Sequence, residues 1–343
     1  MTRPFFWLFF ICFVLSLTGC GRTSPRYYTD TDTAMGTVII QQIYAKEDLT
    51  DEVLACIRKL EIESLSRRVE GSEIFDINGE AGKEAEIPLT PGMEAILSKC
   101  LEISKDSEGA FDITIGEVVG LWDIDSWAGM TTDNPDSSFR LPAQAELSED
   151  LALAGYEKLT LGNHGIRVPE GMALDLGAVG KGIALDEILA LLQERKVTGA
   201  VISVGGSILT YGEKPDKSPW KIGVADPENQ GGSIGVLTLT GQWCVSTSGD
   251  YERYVEADGV RYHHLIDPAT GYPAQSGIRS VTILTKNGFL SDALSTACFV
   301  LGEEKGMELA ERYGVEALFV RADGSISMTE GMQIYFRLSK PEK

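Results

Sequence analysis

Hydrophobic and polar positions recur with a readable period along most of the chain, and the exception is its start. After Met1, Thr2 and Arg3, residues 5–17 are almost wholly apolar, a run of about 13 residues closed by Leu17-Thr18-Gly19-Cys20. That is short of the roughly 20 apolar residues a membrane-spanning helix needs, so it reads as the apolar stretch of an export signal. Beyond it, TVIIQQIY at 37–44 predicts a strand, and Val53, Leu54, Ile57, Leu60 and Leu65 mark one face of a helix. Thr90-Pro91 supplies a helix cap and a first-turn proline; Met93, Ile96, Leu97, Cys100 and Leu101 share a face, and Gly109 stops the helix. The polar stretch 123–146 predicts a long surface loop. A helix carrying Ile183, Leu185, Ile188, Leu189 and Leu192 follows the glycine-rich residues 175–182, and 200–204 is a buried strand running into Gly205-Gly206. Strands follow at 221–225, 234–240 and 243–247, the last two joined by Gly241-Gln242 as a tight hairpin. A strand at 279–285, a helix at 290–301 and a strand at 316–321 that turns at Asp323-Gly324 complete the set. Strands and helices mix without regular βαβ alternation, internal repeat or low-complexity linker, which predicts an α+β domain with mixed sheets and packed helices.

Composition leaves that picture unchanged, and charge sharpens it. With 43% hydrophobic and 24% charged residues the chain is ordinary globular material, so disorder and collagen-like repeats are excluded. The 30 Lys and Arg against 51 Asp and Glu give a net charge of −21. Such a surface repels phosphate backbones, which excludes nucleic acid as a partner, and any anionic ligand must be met by a local cation. Cys56, Cys100, Cys244 and Cys298 form no CxxC pair and lie in predicted helices or strands, where they read as small buried hydrophobes.

Three segments carry chemistry. In Asp175-Leu176-Gly177-Ala178-Val179-Gly180-Lys181-Gly182 the glycines let a ligand approach backbone N–H groups at a helix start, and Lys181 is a cation inside that turn, an arrangement suited to a diphosphate. Asp292, Ser295 and Thr296, at i, i+3 and i+4, put three oxygen side chains on one side of a helix start. Such hard ligands suit Mg²⁺, though an ordinary N-cap explains Asp292 as well. His263 and His264 adjoin before a turn rich in Pro and Gly; neighbouring strand residues face opposite ways, so one is functional and the other structural. His164 sits in a predicted exposed turn and is assigned nothing.

From residue 28 onward, the ordered motifs AMGT (34–37), AFDIT (110–114), DLGAVGKGIALD (175–186), SVGG (203–206), STSGDYERY (246–254), HLIDPATGYP (264–273) and SDALSTACFVLG (291–302) resemble the ApbE family of FAD:protein FMN transferases. The resemblance implies an ApbE-like (T-fold-like) α+β fold over residues 28–343, with FAD in a cleft between two lobes. It also implies Mg²⁺-dependent transfer of FMN from FAD to a Thr or Ser hydroxyl of an acceptor protein, releasing AMP. Family FAD contacts map onto Met35, Ala110, Phe111, Asp112, Asp175, Lys181 and Ile266, and the Mg²⁺ ligands onto the carbonyl of Ala178 and onto Asp292, Ser295 and Thr296. His264 matches the histidine that acts on the acceptor hydroxyl. A departure is Arg68, which stands where the family often has a flavin-stacking Tyr; Arg also stacks on flat rings. Two other readings share the site: hydrolysis of FAD to FMN and AMP, and a flavin carrier without turnover. Leu17-Thr18-Gly19-Cys20 resembles a bacterial lipobox, which implies a signal peptide at 1–19, acylation of Cys20, a tether at 20–27, and a lipid anchor in the cell envelope facing away from the cytoplasm.

Overall fold

The computed structural model describes residues 26–128, 139–162, 164–229, 231–257 and 259–339. The proposed signal, Cys20 and the tether up to residue 25 lie outside the described residues. The centre is an eight-stranded antiparallel sheet whose spatial order follows the chain: Arg26–Ala34, Thr37–Ala45, Gly199–Val204, Ser207–Gly212, Trp243–Gly249, Ile278–Thr285, Glu316–Arg321 and Ile326–Met328. Side chains alternate across it. Ile39, Ile43, Ile202, Leu209 and Cys244 pack on helices Thr50–Leu60 and Gly180–Glu194, whereas Val245, Leu284, Leu318 and Val320 pack on a second sheet of Trp220–Ala225, Ser233–Leu239 and Phe336–Leu338.

The chain between the second and third strands of the large sheet forms a mostly helical insertion. It shares its core with the sheet: Leu65, Phe111 and Leu174 lie in one apolar cluster with Val281, Phe289 and Phe299. In helix Pro91–Asp106 the Thr90 hydroxyl accepts from Met93 N at 3.2 Å, and Met93, Leu97, Cys100 and Ile103 are buried. Helix Gly288–Leu301 runs under the sheet, almost wholly buried over its first turns.

Two expectations are corrected. Strands Ser233–Leu239 and Trp243–Gly249 do not pair as a hairpin; the first joins the small sheet and the second the centre of the large one. Cys244, Val245 and Ser246 are buried consecutively, on both faces, which only a central strand allows, so the chain crosses between sheets at Gly241. The stretch 123–146 is not all surface loop either. Helix Ile124–Ala128 buries Ile124, Phe139 stacks on Trp122, and helix Gln144–Leu153 begins inside the stretch, where the Glu146 carboxylate accepts from Ala143 N. Apolar residues placed singly among the Asp and Ser were enough to anchor both ends.

Candidate active site

The glycine turn and the oxygen-bearing helix start are in contact. Asp175 shapes the turn by accepting from Gly177 N at 2.7 Å and pairing with Arg67 Nε at 2.7 Å, and its own N–H donates to Ile113 O. That last bond lays the Ala110–Phe111–Asp112 loop beside the turn. Gly177 is exposed and a side chain at Gly180 would meet only open space, so a ligand can come close to the turn, whose Gly177 and Gly180 N–H groups donate to Asp175 Oδ1 and Leu176 O.

Where helix Gly180–Glu194 meets helix Gly288–Leu301, each end is held by a carboxylate of the other. Asp292 Oδ2 accepts from Gly182 N at 2.9 Å; Asp186 accepts from Gly288 N at 2.6 Å and Phe289 N at 2.9 Å, while Asn287 takes Leu290 N at 2.8 Å. The first-turn donors that a helix leaves unpaired are thereby satisfied. The approach is close because both contact residues lack side chains: a Cβ on Gly182 would lie 2.3 Å from Gly288 O, and one on Gly288 2.3 Å from Gly182 O. Lys181 Nζ is 3.4 Å from Asp292 Oδ1, which also accepts from Ser207 Oγ at 3.1 Å. Ser246 joins Ser207 to Ser291 beneath.

Thr296 is half-buried and faces the same side as Asp292, with its hydroxyl 3.3 Å from Ser248 Oγ. Ser295 is fully buried; its hydroxyl donates to Asp292 O and meets Ser248 Oγ at 2.8 Å, so it has only a remaining lone pair to offer a cation. Among the described residues no three His, Cys, Asp or Glu cluster as a metal cage. The donor set is one carboxylate, two hydroxyls and a carbonyl, all oxygen, which fits a hard cation that keeps waters and takes ligands from a substrate phosphate.

His264 follows strand Val260–His263 and is half-buried. Its Nδ1 lies 3.2 Å from Arg253 O, an atom that only accepts, so Nδ1 carries the proton and Nε2 is left as a free base. Burial, then the charges of Arg253 and Lys181, hold its pKa well below 6.5, so the ring is neutral at pH 7. His263 is the structural partner: buried, its Nε2 3.1 Å from Ala274 O and its ring edge-on to Phe299. Ile266 is buried with Val118, Trp122 and Leu147, and Trp122 Nε1 donates to Gly271 O at 2.6 Å, which fixes the turn after His264.

Met35 sits at a hairpin tip with φ 51°, next to Gly36 at 65°, and its N–H donates to Glu61 Oε2 at 2.9 Å. Phe111 is buried, and both oxygens of Asp112 are engaged, by Thr114 N and Oγ1 and by Tyr156 N. The carboxylates of Asp112 and Asp175 thus hold loops in shape. Arg68 pairs with Asp123 and Asp125, and Arg253 reaches Asp125 at 2.6 Å, tying the insertion to the His264 segment.

Glu252 was not singled out from the sequence. It is exposed, yet protein on several sides desolvates its carboxyl and raises its pKa against the pull of Lys181 and Arg253. A Cβ on Gly206 would sit 2.8 Å from its Oε1. Its membership of the motif at 246–254 was the only signal, because its neighbours come from distant parts of the chain.

The pattern that defines the ApbE family matches residues 35–319, and the chain belongs to that family. An FAD:protein FMN transferase of Treponema pallidum is 32% identical over 340 residues, spanning 94% of this chain and 92% of its own. The ApbE protein of Thermotoga maritima has the same fold, with a TM-score of 0.80 at 30% identity over 91% of this chain and 100% of that one. The apo form of the Pseudomonas stutzeri flavinyl transferase ApbE gives 0.76 at 29%, over 91% and 98%. The ApbE-like α+β architecture expected from the motifs is the fold of this chain.

Proposed function

We propose that this protein moves FMN from FAD to a Thr or Ser hydroxyl of an acceptor protein, forming a phosphoester and releasing AMP. The observation that carries the reading is the contact of the glycine turn with the Asp292 helix start, with Lys181 reaching Asp292 and its charge felt at His264. Diphosphate-binding groups and a neutral base thus share one site, and the named activity of the relatives supports the same reaction.

Met35, the Ala110, Phe111 and Asp112 loop, Asp175 and Ile266 would shape the flavin and adenine seats, and Lys181 beside the closely approachable glycine turn would neutralise the diphosphate. Asp292, Thr296, Ser295 and the Ala178 carbonyl would hold Mg²⁺, which supplies charge neutralisation on the diphosphate oxygens. His264 Nε2 takes the proton of the acceptor hydroxyl. That oxygen bonds to the FMN phosphorus as the bond from this phosphorus to the AMP oxygen breaks, and AMP leaves. Positioning and charge stabilisation dominate such a transfer. We place the protein on a lipid anchor at Cys20, in the envelope outside the cytoplasm, with an envelope protein as acceptor.

Incubation with FAD, Mg²⁺ and a flavin-bearing envelope protein in its apo form tests the reading. AMP formed only with acceptor supports transfer; AMP without acceptor means hydrolysis, and none means carriage.

A further inference from the structure

Asp186 lies outside the residues assigned to binding or chemistry, yet it makes two of the shortest links between the halves of the site. Its two oxygens accept from the N–H groups of Gly288 and Phe289, the first two residues of the helix that presents Asp292, Ser295 and Thr296. The bonds run between residues far apart in sequence, at the point where glycines let the two helices touch. The opposite link, Asp292 to Gly182 N, uses an oxygen of the proposed metal carboxylate itself, so it cannot be varied without removing that ligand. Asp186 is therefore the fixed half of the clasp. A helix start held at both N–H groups resists the small rotation or slide that would move Asp292 off Gly182 N and Lys181. Burial raises the Asp186 pKa against the opposing pull of the Phe289 and Gly288 N–H groups, which favour the charged form.

We propose that Asp186 is a positioning residue for the divalent cation, setting the height and rotation of the Asp292 helix against the glycine turn. The inference rests on the transferase reading of the site. The test is FAD binding by the whole protein, followed by quenching of flavin fluorescence, as MgCl₂ is titrated without acceptor. Asp186→Ala raises the Mg²⁺ concentration for half-maximal FAD binding by about 10-fold and up to about 100-fold, the range for losing a group that orients metal ligands, here through the helix that carries them. Asp186→Asn, with one acceptor oxygen left, gives a smaller rise, and transfer at saturating Mg²⁺ recovers towards the parent rate in both. Should the Ala variant not fold, Asp186→Asn decides. Folded variants with midpoints within about twofold of the parent, well under that range, overturn the proposal. A parent protein whose FAD binding ignores Mg²⁺ overturns the site reading as well, which separates the two failures.

Discussion

The base role we propose for His264 rests on one hydrogen bond and on its surroundings. The Arg253 carbonyl fixes the proton on Nδ1, and burial with two nearby cations keeps the ring neutral, so Nε2 is a base without first losing a proton. Because the pKa is depressed, the base is lost only as pH falls below 6.5: the acid limb of kcat/KM for transfer lies under that value, and a limb at or above it would contradict the assignment. His264→Ala keeps FAD affinity while transfer falls by roughly 10²- to 10⁴-fold, the range a positioned base contributes; titration of flavin fluorescence beside AMP assays separates the two effects. Residue type and local spacing pointed to Lys181 as a cation in a glycine turn, to Asp292 as a metal ligand or an N-cap, and to one functional residue of the pair His263-His264; the choice of His264 came from the family resemblance. The raised carboxyl of Glu252 and the buried hydroxyl of Ser295 were not, since each depends on contacts between separated strands and helices.

Between elements, the glycine pair decides how closely two helices approach. Gly182→Ala would place a methyl 2.3 Å from a backbone oxygen that has no rotamer to move, so the helices must part. Overpacking of this kind costs about 1–3 kcal/mol. Chemical denaturation should show that loss together with weakened Mg²⁺-dependent FAD binding, whereas Gly180→Ala, at a position facing open space, should leave stability close to the parent. Strand and helix positions followed from periodicity, which is local. Pairing did not: the Gly241-Gln242 turn looked like a hairpin because turn chemistry says nothing of which sheet each strand enters. The consecutive burial of Cys244, Val245 and Ser246 is what places the second strand centrally, and only tertiary packing reveals it.

At the scale of the molecule, a body of net charge −21 repels a dinucleotide, and Arg67, Lys181 and Arg253 at the site are paired with Asp175, Asp292 and Asp125, so the proposed Mg²⁺ would carry much of the attraction for the diphosphate. The proposed lipid anchor at Cys20 has its own test. Cys20→Ser should move the protein from the membrane pellet to the soluble fraction on cell fractionation, and continued sedimentation with membranes would contradict acylation at that sulfur. The central claim, however, is that one cleft grips a diphosphate and hands its flavin phosphate to another protein's hydroxyl. The most direct measurement is AMP release from FAD and Mg²⁺ with and without an acceptor, read beside mass spectrometry of that acceptor. The account predicts one AMP per acceptor carrying the added mass of FMN less water, and neither product when the acceptor hydroxyl is replaced by hydrogen; AMP at the same rate without acceptor, or an unmodified acceptor beside released AMP, would contradict it.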